Sequence, residues 1–213
     1  MTQTGMGESA PGAAVEITPG LVKELRELTG AGMMDCKRAL AETGGDLELA
    51  VDVLRKKGLA DAKKRAGRSA NEGRIESYIH MGRLGVLIEV NCETDFVANT
   101  DEFKNLAREL AMQVAATDSR WISPEEVPPE EIERERKIYE EMAREDGKPD
   151  HIIPKIIEGK LESFYRNHVL LRQPWIRDDA KTVQELVDEV GAQVGEKVEV
   201  RRFAKFRLGD ELT

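Results

Sequence analysis

The chain has 213 residues, with 32 Lys and Arg against 41 Asp and Glu, a formal net charge of −9 at pH 7. That length allows one sizeable domain or a small one plus a larger one, and so acidic a surface is not the basic footprint of a protein lying wholly on nucleic acid. Cys36 and Cys92 stand far apart without a CxxC partner, which excludes a disulfide framework and a zinc knuckle and points to a reducing, cytoplasmic setting.

Residues 1–15 are expected to form a disordered leader. They are rich in Gly, Ala, Ser and Thr and lack the basic start and apolar core of a signal peptide. Residues 16–58 read as a three-helix module. Thr18-Pro19 is an N-cap with proline at the first helical position. Leu21, Leu25 and Leu28 follow at helical spacing, and Gly30-Ala31-Gly32 stops that helix. A second runs through Met33, Met34, Lys37 and Leu40. Asp46 caps a third, striped by Leu47, Ala50, Val51 and Leu54 and expected to end at Gly58.

Residues 59–73, with four Lys and Arg between 63 and 68 and several alanines, read as a linker, partly helical at most. From 74 to 209 an α+β domain is expected. Ile75, Ile79 and Met81 share one strand parity against Arg74, Glu76 and His80. After a turn at 82–85, Val86, Ile88, Val90 and Cys92 form a buried face. Phe103, Leu106, Ala107, Leu110, Ala111 and Val114 mark a helix from about Thr100. Residues 124–145 read as a weakly anchored, exposed helix. Ile153, Ile156, Ile157, Leu161 and Phe164 mark the next one. Thr182 to Glu185 form a capping box for a helix that Gly195 ends. In the last strand Val198, Val200, Phe206 and Leu208 share one parity. Glu199, Arg201, Lys205 and Arg207 share the other with Phe203, as a solvated face or a partner surface. Residues 210–213 form a tail.

Chemistry is sparse. There is no phosphate-binding GxxxxGK[ST] loop, no GxGxxG, no GxSxG and no HExxH. No carboxylate pair stands in a recognisable acid/base setting, so neither a catalytic group nor a metal or cofactor site is expected. Cys92 falls on an apolar strand face, where cysteine acts as a small buried hydrophobe. The basic run 63–68 is either RNA-contacting or a solvated linker. The segment Asn91 to Asn99 runs from a strand straight towards a helix. Either Phe96 and Asp95 form a wedge on that corner, or Phe96 folds onto the core and Asp95 caps the helix.

The motifs LVKELRELTGAGMMDCKRAL (21–40), GD…A…LRKKG (45–58), AGRSANEG (66–73), VNCETDFVAN (90–99), GKPDHIIPKIIEGKL (147–161) and QPWIRDD (173–179) resemble the elongation factor Ts family. The match covers about residues 16–209. The resemblance implies a guanine-nucleotide exchange factor for elongation factor Tu, with no cofactor of its own. It implies that the N-terminal module is similar to ubiquitin-associated domains and docks on the G domain of Tu through Arg26, Met33 and Met34. One of the two methionines is expected to face the core and the other the partner. It implies that Thr94, Asp95, Phe96 and Val97 form the exchange wedge near the magnesium and phosphate loops, and that His80 matches a position approaching Tu.

Longer family members carry two related core subdomains and a helical dimerisation insert, whereas this chain has one core unit. A noncovalent homodimer binding two Tu molecules is therefore expected, through the 197–208 strand and Phe203, with neither nucleic acid nor membrane as partner. An adaptor built on the ubiquitin-associated-like module would leave TDFVAN unused.

Overall fold

The computed structural model describes residues 17–210, so the expected leader and residues 211–213 lie outside it. The chain divides after Gly58 into two compact units.

The smaller unit is helical: α1 (Pro19–Thr29), α2 (Met33–Glu42) and the first part of α3 (Leu47–Arg65). The Thr18 side chain accepts the Leu21 N–H at 3.3 Å, and Pro19 sits where its missing N–H costs nothing. Gly30 ends α1 in the left-handed conformation, φ 65°, which a side chain would strain. Asp46 Oδ1 accepts the Leu49 N–H at 3.0 Å and so caps α3. The core is Val22, Leu25, Cys36, Ala39, Leu40, Ala50 and Leu54; no Phe, Tyr or Trp occurs between residues 17 and 58.

Three expectations fail in this unit. Val22 and Leu25, not Leu28, face inward, and Leu28 is exposed in the last turn of α1. Met33 and Met34 are both exposed, because the inward stripe of α2 begins only at Cys36. Gly58 does not end α3, which continues to Arg65. A helical glycine costs about 1 kcal/mol relative to alanine, and the run Ala60 to Arg65 that follows is made largely of good helix formers.

The larger unit is built on an antiparallel sheet of β1 (Glu72–His80), β2 (Leu84–Cys92) and, from the far end of the chain, β5 (Glu199–Arg207), in the order β1-β2-β5. β1 and β2 form a hairpin through Met81 and Gly82, both at positive φ. Between β2 and β5 lie α4 (Asp95–Ala98), α5 (Asp101–Ala116), α6 (Pro129–Glu145), α7 (Ile153–His168), the two-stranded ribbon β3 (Pro174–Trp175) with β4 (Asp178–Thr182), and α8 (Val183–Val194). The sheet's inner face gives Val86, Ile88, Val90, Cys92 and Val200 to a core shared with Phe103, Leu106, Leu110 and Val114 of α5 and Val183, Val187 and Val190 of α8. The capping box is complete: the Thr182 hydroxyl accepts the Glu185 N–H, and the Glu185 carboxylate accepts the Thr182 N–H at 2.8 Å. α6 is better anchored than expected, packing on α7 around Ala143, Ile153, Ile157 and Leu161.

Two strand faces are corrected. On β1, the Ile75–Ile79 parity points away from the core, and both isoleucines are exposed with Met81, while Tyr78 packs inward. On β5, a β-bulge intervenes. Val90 pairs with Val200 and Glu89 with Arg202, leaving Arg201 as an extra residue. One extra residue exchanges the two sides of a strand from that point on. Phe203 therefore packs inward, and Phe206 and Leu208 emerge on the outer face. Lys205 also turns inward, where its Nζ donates to the Val114 and Thr117 carbonyls at the end of α5.

Candidate functional site

The corner between β2 and α5 is exposed yet held by many hydrogen bonds. Thr94, extended at φ −130°, caps α4: its Oγ1 accepts the Val97 N–H at 3.3 Å. Six residues later Thr100 repeats the device, accepting the Phe103 N–H at 3.3 Å and donating to the Val97 carbonyl at 2.9 Å. Asn99 Nδ2 donates to the Asp95 carbonyl at 2.9 Å. In so short a helix only one side can be buried. Val97 and Ala98 take it, at 5% and 6% exposure. Asp95 and Phe96 take the other, and Phe96 is 79% exposed.

Of the two readings open at this corner, the bland one is overturned: Phe96 does not fold onto the core, and the capping oxygen belongs to Thr94, not Asp95. Within the expected wedge set, Val97 is a core residue that anchors the corner from below.

The corner is also clasped from the α8–β5 connection. The Glu196 carboxylate accepts the Glu93 and Thr94 N–H groups, both at 3.0 Å, and the Thr94 hydroxyl at 2.7 Å. In return Glu93 Oε1 accepts the Lys197 N–H at 2.6 Å and the Arg68 guanidinium at 3.1 Å. The Lys197 N–H first, and then Arg68, hold the Glu93 carboxyl below its usual range. Glu93 lies within VNCETDFVAN, but neither its clasp contacts nor Glu196 is marked out by the sequence. The partners are about a hundred residues apart, and no local pattern signals a contact of that span.

Cys92, one step before the clasp, is buried, and its thiol donates to the Thr94 carbonyl at 3.1 Å. Burial, reinforced by the nearby Glu196 charge, pushes its pKa up to about 11, so it is a packing group rather than a nucleophile.

The remaining expected residues lie elsewhere. His80 is exposed at the far end of β1, its Nδ1 3.0 Å from the Tyr78 hydroxyl. Cys92 pairs with Glu72 and Leu84 with His80 in the hairpin register. Eight strand steps at about 3.3 Å therefore put His80 roughly 25 Å along the sheet from the corner, and the structure does not bring the two together. Arg26, Met33 and Met34 are exposed on the smaller unit. The outer sheet face carries a second concentration of exposed apolar side chains: Ile75 and Ile79 from β1, Leu87 from β2, and Phe206 from β5. Gly85, between Ile79 and Phe206 in the pairing register, leaves a groove there.

Among the described residues, no group of three or more His, Cys, Asp or Glu side chains is placed to hold a metal ion, and no helix is long and apolar enough to cross a membrane.

In architecture this is an α+β protein: a helical unit, and a sheet-and-helix unit that displays an aromatic on a doubly capped corner. The chain belongs to the elongation factor Ts family. The family profile described as Elongation factor TS matches residues 62–210. Elongation factor Ts of Caldanaerobacter subterraneus subsp. tengcongensis is 56% identical over 195 residues, covering 91% of this chain and 98% of that one. Those of Coprothermobacter proteolyticus and Fervidobacterium nodosum are 55% and 53% identical over 197 residues, each matched along 100% of its length. Membership implies guanine-nucleotide exchange on elongation factor Tu.

Proposed function

We infer that this chain releases GDP from elongation factor Tu by docking its helical unit on the G domain and pressing Asp95 and Phe96 against the magnesium and phosphate site. The observation that carries the reading is Phe96 itself, 79% exposed beside a buried Val97 on a corner with two threonine caps. GDP is held by backbone N–H groups of a phosphate loop and by Mg²⁺. A wedge that binds the nucleotide-free form better than the GDP form shifts the equilibrium towards release. A hundredfold weakening of GDP needs about 2.7 kcal/mol of differential contact, and burying one phenylalanine supplies about 1.5–3 kcal/mol. Coupling is reciprocal, so GDP weakens this chain's binding by the same factor. GTP then binds and the factor leaves. The cycle needs no catalytic residue or cofactor from this chain, and it belongs to the cytoplasm, with neither nucleic acid nor membrane as partner.

Arg26, Met33 and Met34 are assigned to docking on a ubiquitin-associated-like module, where exposed methionines give a deformable apolar contact. His80 is assigned to a separate contact with Tu, given its distance from the corner. Exposure of both methionines and of Leu28 supports this use of the smaller unit.

The reading includes a noncovalent homodimer binding two Tu molecules. The outer sheet face supports it, with Phe206 replacing Phe203 as the contact residue. Two such faces stacked about 10 Å apart would make a sandwich. Phe206→Glu should convert the dimer to monomer in light scattering at micromolar concentration; an unchanged mass would remove this face from the interface.

The primary test is release of a fluorescent GDP analogue from purified elongation factor Tu with substoichiometric amounts of this protein. Multiple-turnover acceleration is expected. Absence of acceleration by folded protein would overturn the exchange reading and leave the adaptor.

A further inference from the structure

We propose that Glu196 is a positioning residue of the exchange corner, acting through the Glu93–Thr94 backbone to set the direction in which Asp95 and Phe96 project. This rests on the exchange reading above. The chain reverses from a strand to a helix at Glu93–Thr94, and a reversal of this kind leaves N–H groups without ladder partners. One carboxylate takes two of them and the Thr94 hydroxyl as well. The hydroxyl, whose proton is thus committed to Glu196, turns its lone pairs to the Val97 N–H and caps α4. The carboxylate therefore fixes both the bend and the rotamer of the cap.

Lys197 N–H to Glu93 closes the reciprocal contact, so the α8–β5 connection and the corner move as one piece. The push that Phe96 delivers to a partner is borne by this clasp. A corner free to swing would still meet the partner but would yield instead of displacing its loops. Hydrogen bonds to a charged acceptor are the stronger kind, which suits a carboxylate here better than an amide. Glu196→Gln keeps one accepting oxygen and is the conservative variant, while Glu196→Ala removes the clasp.

The test uses the full chain. In hydrogen exchange, Glu196→Ala should speed exchange of the Glu93, Thr94 and Val97 amides at least tenfold while the Val86–Val90 amides keep their protection. In release kinetics it should lower the maximal rate about tenfold with half-saturation for Tu unchanged. Glu196→Gln should lie between Ala and wild type. Added to Phe96→Ala, Glu196→Ala should cause no further loss, because it acts through the same side chain.

Unchanged corner amides, or a full maximal rate in Glu196→Ala beside an active wild type, would overturn the role of Glu196 and leave the exchange reading standing. Independent, multiplying losses in the double variant would also overturn it. An inactive wild type would overturn the exchange reading, and with it any positioning role in exchange.

Discussion

The two units both expose apolar side chains, but they hold them differently. In the smaller unit Met33 and Met34 project from the first turn of α2, beyond a core of small and aliphatic residues. Unbranched and unclamped, they can adjust to the surface they meet. In the larger unit Phe96 stands on a corner fixed by two threonine caps, a buried Val97 beneath it and the Glu93–Glu196 clasp beside it. The first construction suits holding on; the second suits pushing. An exposed hydrophobe is informative mainly through what restrains it.

That contrast breaks if the two regions fail to separate in kinetics. Phe96→Ala should have the largest effect, lowering the maximal rate of GDP release about a hundredfold, from the free-energy scale of one buried aromatic, with a melting temperature equal to wild type. A protein that unfolds instead would return Phe96 to the core. Met33→Ala combined with Met34→Ala should raise the concentration of this protein giving half-maximal release about tenfold and leave the maximal rate intact. A fall in the maximal rate would erase the distinction between holding and pushing.

Val97→Ala sharpens the comparison one residue from Phe96. Loss of buried methyl groups should lower stability by about 2 kcal/mol in urea unfolding, with a smaller effect on exchange than Phe96→Ala. The smallest effect concerns Cys92. Its folded pKa, raised to about 11, lies above the ordinary cysteine value. The stability tied to its protonated state is thus complete below the unfolded pKa and is lost as pH rises through the folded one. Urea midpoints should begin to fall only above about pH 9, and a Cys92→Ser variant should lose that part of the alkaline slope. Rapid alkylation of Cys92 at pH 7 in the folded protein would contradict its burial.

Local patterns carried much of this molecule. The Thr18, Asp46 and Thr182 caps, the buried face of β2 and the stripe of α5 all follow from spacing, because each is decided within a few residues. The elements that escaped are decided at longer range. Gly58 reads as a stop, yet it is carried through by the helix formers around it. β5 alternates until Arg201, where the ladder with β2 fits one extra residue and the two sides exchange. The adjacent Arg201-Arg202 between Val200 and Phe203 was the available signal for that. At the corner, TDF is legible as a motif, but Val97 as its foundation and Glu196 as its clasp depend on contacts that no local pattern records.

The aromatic-free make-up of the smaller unit has an optical consequence. Both tryptophans, Trp121 and Trp175, and every tyrosine and phenylalanine of the described chain lie beyond residue 58. Intrinsic emission and near-ultraviolet dichroism therefore report on the sheet-and-helix unit alone, and the three helices that carry Met33 and Met34 are dark to both. Only backbone ellipticity sees the whole described chain. A thermal scan in which ellipticity falls before emission changes would reveal the helical unit opening as its own cooperative step, an event a tryptophan-monitored melt would pass over in silence.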